Sequence, residues 1–240
     1  MKKTYLAAAV AAVFSVAGVA QAQDYQMEAG LSYVDTDMLG GEEIISVDFT
    51  YHLETVTTAN RPLKEAAFLG NNSNISASVS QFDTADVTGF NLGGEFWMEQ
   101  LYLSADLTDV DGNQDYEARI GFMLQDGLLL NAGFADGDTY LDPSILVAAK
   151  YVAKMGENFV NLEAELETND GDNAITLVGD YFFTPEFAAG LRIVETDVTG
   201  VDTAFGVGAS YFFTPVASVE VEYMDQDGDA TMGLRAAMRF

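Results

Sequence analysis

Along most of the chain, apolar side chains fall at every second position, the period of a β-strand whose two faces meet different surroundings. Tyr25, Met27, Ala29, Leu31 and Tyr33 alternate with Gln26, Glu28, Gly30 and Ser32. Ile45, Val47, Phe49, Tyr51 and Leu53 then alternate with Ser46, Asp48, Thr50, His52 and Glu54. From Thr55 to Ser73 the rhythm stops, and Pro62 argues against a strand interior there. From Asn74 it resumes and persists to the end, broken only by polar or glycine-bearing turns such as Asp126-Gly127, a strong hairpin signal. On the last strand Ala230, Met232, Leu234, Ala236, Met238 and Phe240 share one face, with Thr231, Gly233, Arg235, Ala237 and Arg239 on the other. The pattern predicts about fourteen strands, with twelve and sixteen the neighbouring even counts.

The turns fall into two chemical classes, and the classes alternate along the chain. One is acidic and rich in glycine: 35–42, 83–87, 109–115, 136–142, 169–173, 197–202 and 225–229. The other is short and often flanked by aromatic residues: Trp97-Met98, Asp126-Gly127, Met155-Gly156, and two copies of Tyr-Phe-Phe-Thr-Pro at 181–185 and 211–215. A soluble sandwich has no reason to sort its turns this way. A meander crossing a bilayer does, with one set of turns on each side and aromatic rings at the interface. The fold predicted is all-β, a transmembrane antiparallel up-and-down meander β-barrel with lipid outside and water inside.

Composition agrees with this. Hydrophobic residues make up 49% of the 240, and beyond the amino terminus no apolar run is long enough for a membrane helix. Lys2 and Lys3, the apolar stretch Leu6–Ala20 and the small-x-small site Ala20-Gln21-Ala22 predict a signal peptide over residues 1–22, leaving a barrel over 23–240. Cysteine is absent, so disulfides do not hold the fold. A formal charge of −28 argues against nucleic acid as a partner. The expected setting is the outer membrane of a Gram-negative bacterium, with outer-membrane lipid, the barrel-assembly machinery, small solutes and cations as partners. Monomer and trimer are both compatible with the pattern.

The irregular connection carries the most specific sequence signal. Arg61-Pro-Leu-Lys-Glu-Ala-Ala-Phe-Leu-Gly70, followed by Ser73-Asn-Ile75, is close to a Gly-Pro-Leu-Ala-Glu-Ala-Ala-Phe-Leu pattern with a Ser-Asn-Val sequel. On these residues the chain resembles the general bacterial porin family, and within it the outer-membrane channel proteins of Acinetobacter-type bacteria. Arg61 and Lys64 stand where that pattern has Gly and Ala. The terminal Phe240 resembles the end signal of bacterial outer-membrane barrels, which their assembly machinery reads. The resemblance implies a fourteen-stranded barrel and passive transport of small solutes.

Catalytic chemistry finds little support. The single histidine, His52, shares its face with Asp48 and Glu54, but no nucleophile is placed against it, so no enzyme is expected. Asp109, Asp111, Asn113 and Asp115 have the residue types of a calcium loop without its glycine position or terminal Glu, so neither metal nor cofactor is expected. The candidate pore lining is Asp48, Arg119, Lys150, Glu163, Arg192, Glu220, Glu222 and Arg235; with Glu28, Glu117, Glu165 and Arg239 on the same polar faces, acids outnumber bases seven to five. Arg61, Lys64 and Glu65 are the candidate constriction, folding toward the barrel axis with Phe68 and Leu69 as anchors. A loop packed under the barrel without effect on flux is the alternative for that segment. The function expected is a porin passing water, ions and small polar solutes with a preference for cations. The alternative is a non-conducting structural or adhesive barrel with cation-binding acidic loops.

Overall fold

The computed structural model describes residues 24–37, 41–140 and 142–240. The signal peptide expected over 1–22 lies outside the described residues. Fourteen strands follow one another in chain order: β1 (Tyr25–Thr36), β2 (Glu42–Val56), β3 (Asn74–Phe82), β4 (Val87–Met98), β5 (Leu101–Val110), β6 (Asn113–Gln125) and β7 (Leu128–Gly137), then β8 (Ser144–Met155), β9 (Asn158–Asn169), β10 (Asp172–Thr184), β11 (Phe187–Thr196), β12 (Ala204–Thr214), β13 (Ala217–Gln226) and β14 (Asp229–Arg239). Each pairs antiparallel with its neighbours in sequence, and β1 pairs with β14, so the sheet is a closed barrel with no free edge. Closure leaves the backbone of every strand satisfied from both sides, which a hydrocarbon surrounding requires.

The alternation of side chains sorts the two faces. Val47, Leu92, Ile120 and Leu191 point outward, Leu191 with 64% of its surface exposed, and every strand adds further apolar residues to this belt. So continuous an exposed apolar surface marks contact with lipid. The opposite face carries Glu28, Asp48, Arg119, Glu163 and Arg235 into the lumen. Glycines on that face make room for them. A Cβ at Gly30 would strike both the Asp48 carboxylate and the Arg235 guanidinium.

Several strands run further than the apolar rhythm implies. The acidic stretch 109–115 is mostly ladder: Asp109 pairs with Gln114 and Val110 with Asn113, leaving Asp111-Gly112 as the turn. Backbone pairing is indifferent to side-chain polarity, so it continues past the membrane edge where the hydrophobic pattern ends. Asp109 spends its carboxylate on that turn, accepting from the Gly112 N–H at 3.2 Å and Gln114 Nε2 at 3.0 Å. The reversal read at Trp97-Met98 falls at Glu99-Gln100 instead, with Glu99 at φ 57°. The acidic turns all join odd strands to the even strands that follow and gather at one end of the barrel. The short turns and the 57–73 connection gather at the other.

At the β1–β14 seam Glu28 lies opposite Arg239, and Gly30 opposite Ala237. Phe240 continues the ladder, its N–H donating to the Met27 carbonyl at 2.9 Å while its carbonyl accepts from the Gln26 and Met27 N–H groups at 2.8 Å. Side chains reinforce the seam from inside. Arg235 spans three strands, reaching Glu28 of β1 at 2.8 Å and Asp48 of β2 at 2.7 Å, with Glu220 of β13 at 3.5 Å. Arg239 reaches Glu28 at 2.6 Å and lies 4.5 Å from the ring centres of Tyr25 and Phe212.

Two sets of substitutions test this architecture by thermal unfolding in detergent, read as heat-modifiable gel mobility. Arg235→Ala should destabilise by about 2 kcal/mol, because it removes the cation shared by Glu28, Asp48 and Glu220. Arg192→Ala should cost under about 1 kcal/mol, since its pair with Glu222 is 3.6 Å long and half-exposed. At Gly127, φ is 76° and an added Cβ would collide with the Val152 carbonyl, whereas at Gly156 φ is 69° with nothing within 4 Å. Gly127→Ala should therefore exceed the roughly 1–2 kcal/mol of left-handed strain that Gly156→Ala carries alone.

Candidate pore and its charged lining

The 57–73 connection is built to fold back on itself. Pro62, extended at φ −63° and ψ 130°, starts a single 3-10 turn over Leu63–Glu65, and one α-helical turn follows over Ala66–Leu69. Gly70 closes it, its N–H donating to the Ala66 and Ala67 carbonyls at 3.1 and 3.2 Å. Ala66 is buried against Tyr25 and Val56. Phe68 packs edge-on to Trp97 with ring centres 6.2 Å apart, in a cluster with Tyr102, Met123 and Leu129. Apolar anchors thus hold the segment to β1 and β2 on one side and to β4–β7 on the other.

Polar contacts carry it to the far wall. In a ring of fourteen strands, β9 and β10 stand opposite β2 and β3, which the segment joins. Glu65, buried, pairs with Lys150 of β8 at 2.9 Å, and Lys150 also meets Glu163 of β9 at 3.0 Å. Lys64 lies 3.7 Å from Asp180 of β10 and 3.9 Å from Glu220 of β13. The Leu63 N–H donates to the Pro185 carbonyl at 2.8 Å, and its own carbonyl accepts from Arg239 Nη1 at 2.9 Å. A segment touching walls this far apart crosses the lumen. Two cavities flank it. One of about 690 Å³ is bounded by Glu65, Phe68, Glu95, Asp106, Arg119 and Lys150. The other, of about 310 Å³, is bounded by Lys64, Asp180, Arg192, Glu220, Glu222 and Arg235.

Ten of the eleven residues expected at the pore or constriction join this inward network: Lys64, Glu65, Asp48, Arg119, Lys150, Glu163, Arg192, Glu220, Glu222 and Arg235. Arg119 sits between Glu117 on its own strand and Glu165 on β9. Arg61 differs. Its Nη1 donates to the Thr57 and Ala66 carbonyls at 3.4 and 3.2 Å, so it braces the base of its own loop instead of pointing to the barrel axis. The terminal Phe240 is 47% exposed, in the same strand phase as the outward-facing Met232.

Two contributors escaped the sequence reading. Asp180 lies on the polar phase of its strand, but its importance comes from Lys64 across the lumen, which periodicity does not reveal. Glu95 accepts from Asn74 Nδ2 at 2.9 Å and from the Tyr102 hydroxyl at 2.8 Å, so it is held in place without a basic partner among the described residues. His52 is buried edge-on to Tyr25, ring centres 5.4 Å apart, and its Nδ1 has no hydrogen-bond partner.

No protein-family model and no curated protein sequence matches the chain. Solved structures do. The Acinetobacter baumannii outer membrane protein Omp33 aligns over 92% of this chain and 100% of its own, at 26% identity and a TM-score of 0.80. The KdgM porin in complex with disordered oligogalacturonate aligns over 89% and 99%, at 12% identity and TM-score 0.52. A triple mutant of Rhodopseudomonas blastica porin aligns over 90% and 99%, at 14% identity and TM-score 0.52. At those identities the last two show the fold alone. The closed fourteen-strand ring, the lipid-facing belt and the charged lumen give this chain a porin-like barrel fold, similar to that of these bacterial outer-membrane proteins.

Proposed function

We propose that the barrel is a passive, cation-preferring pore of the Gram-negative outer membrane, passing water, ions and small polar solutes around the segment that crosses its lumen. The observation that carries this is the imbalance of fixed charge inside. Six bases, Lys64, Arg119, Lys150, Arg192, Arg235 and Arg239, are each paired with at least one carboxylate. Glu95 and Asp106 remain on the lumen wall with no basic partner in ion-pairing range among the described residues, and the acidic turns crowd one mouth. Surplus fixed negative charge lowers the energy of a cation in a narrow aqueous passage and raises that of an anion.

Size selection in this reading belongs to Leu63–Leu69. The segment fills the lumen centre and is anchored on all sides, so solutes pass through what remains between it and the wall. Its several tethers also give specific support to a second reading, the non-conducting barrel, in which the same segment is a seal.

Planar-bilayer recording of the purified protein separates the two readings. In a KCl gradient the reversal potential should have the sign of potassium selectivity; a chloride-selective sign refutes the charge argument. Charge reduction by Glu95→Gln with Asp106→Asn should move that potential toward zero. Deleting Pro62–Gly70 should raise single-channel conductance several-fold while heat-modifiable mobility stays that of a folded barrel. Conductance only after the deletion establishes the segment as a seal, and conductance equal with and without it rules out a constriction.

A further inference from the structure

A separate recess lies at the rim of the barrel, on the end that carries the short turns. It is about 710 Å³, bounded by the start of the lumen segment and by the β10–β11 and β12–β13 turns. Three of its residues, Phe187, Tyr211 and Phe213, belong to the lipid-facing side, exposed at 36%, 43% and 46%. Their rings form one surface with Phe183: Phe183 stacks on Phe187 at 5.3 Å, Phe187 meets Tyr211 at 6.4 Å, and Tyr211 meets Phe213 at 4.8 Å. The recess therefore opens toward the membrane at the depth where aromatic rings mark the headgroup layer.

Its polar side is unusual for this chain. Arg61 lines it, and no carboxylate of the described residues lies within ion-pairing distance of Arg61, although Asp and Glu number 38 against ten Lys and Arg. Only two backbone carbonyls occupy one of its nitrogens, which leaves the rest of the guanidinium fork available. Thr58 lines the same recess. It is only 4% exposed, with its Oγ1 buried away from the open space, so Arg61 is the charged donor on this lip. Glu186, on the opposite lip, has a carboxylate with no basic partner among the described residues. Asp24 is already engaged, accepting the Thr58 backbone N–H at 3.2 Å.

We infer that this recess binds one phospholipid with a zwitterionic, amine-bearing headgroup. Arg61 takes the phosphate, Glu186 takes the ammonium, and the acyl chains lie on Phe187, Tyr211 and Phe213. A cation and an anion kept apart on two lips match a headgroup whose own charges are separated in the same sense. An anionic headgroup lacking the amine satisfies Arg61 but meets Glu186 unpaired. The inference rests on the membrane-spanning reading and not on conduction, because a sealed barrel presents the same rim.

Native mass spectrometry of the full barrel tests it, after incubation with mixed micelles of phosphatidylethanolamine and phosphatidylglycerol in equal amounts. Wild type should retain one phosphatidylethanolamine. Arg61→Ala should lower that retention about tenfold, the size of one lost charge-assisted hydrogen bond. Glu186→Gln should keep a bound lipid but lose the preference for the amine-bearing one, and it serves as the test if Arg61→Ala fails to fold by gel mobility. No retained lipid, equal retention of both lipids by wild type, or an Arg61→Ala protein that keeps the lipid would overturn the site. Displacement by soluble O-phosphoethanolamine would reassign the recess to a free solute and overturn the lipid as occupant. Bilayer conductance, recorded separately, reports on the pore alone.

Discussion

Everything in this molecule depends on closing one hydrogen-bonded ladder, that between β1 and β14. A transmembrane sheet with an open edge would present a row of unpaired amides and carbonyls to hydrocarbon, at several kilocalories per mole each. The thirteen other pairings form between strands adjacent in sequence and joined by short links, with one exception. The seam joins the two ends of the described chain. It is also where the side chains do most to help. Arg235 and Arg239 collect carboxylates from β1, β2 and β13, so the least local pairing in the barrel has the densest charge network behind it.

That network shows how the lumen differs from a protein core. Its charges are not buried in apolar surroundings but face one another across a polar interior, where pairing replaces part of the hydration each would otherwise need. Bases are scarce, so several are shared: Lys150 serves Glu65 and Glu163, Arg119 serves Glu117 and Glu165, and Lys64 stands between Asp180 and Glu220. Shared cations fix the spacing of the acids around them. The lumen owes its shape to this sharing as much as to the strands.

Strand order, facing and closure were legible in the sequence because a barrel wall is periodic and each position is decided by which solvent it meets. Glu28, Asp48 and Arg235 were identifiable as inward by phase alone, and the proximity of Arg235 to Glu28 follows once the first and last strands are neighbours. The lumen segment was legible only as an interruption. Pro62 and the run Glu65-Ala-Ala-Phe-Leu69 announce that a strand stops, but nothing periodic says how far the segment reaches or which wall it meets. Hence Asp180 went unread, and Arg61 was expected at the axis when it braces the loop base. Turn ends were misplaced for a different reason: hydrophobic alternation records the membrane edge, whereas the ladder runs on into water.

One contact made by the lumen segment bears on the order in which the molecule is put together. Leu63 comes early in the chain, and its carbonyl is satisfied by Arg239, the penultimate residue. Its amide is satisfied by Pro185, also late. The segment therefore has no complete set of partners until the last strand has docked beside the first. Filling the lumen and closing the wall are consequently one event: a barrel still open at its seam also lacks its central bridge, and the finished bridge certifies from within that the ring is whole.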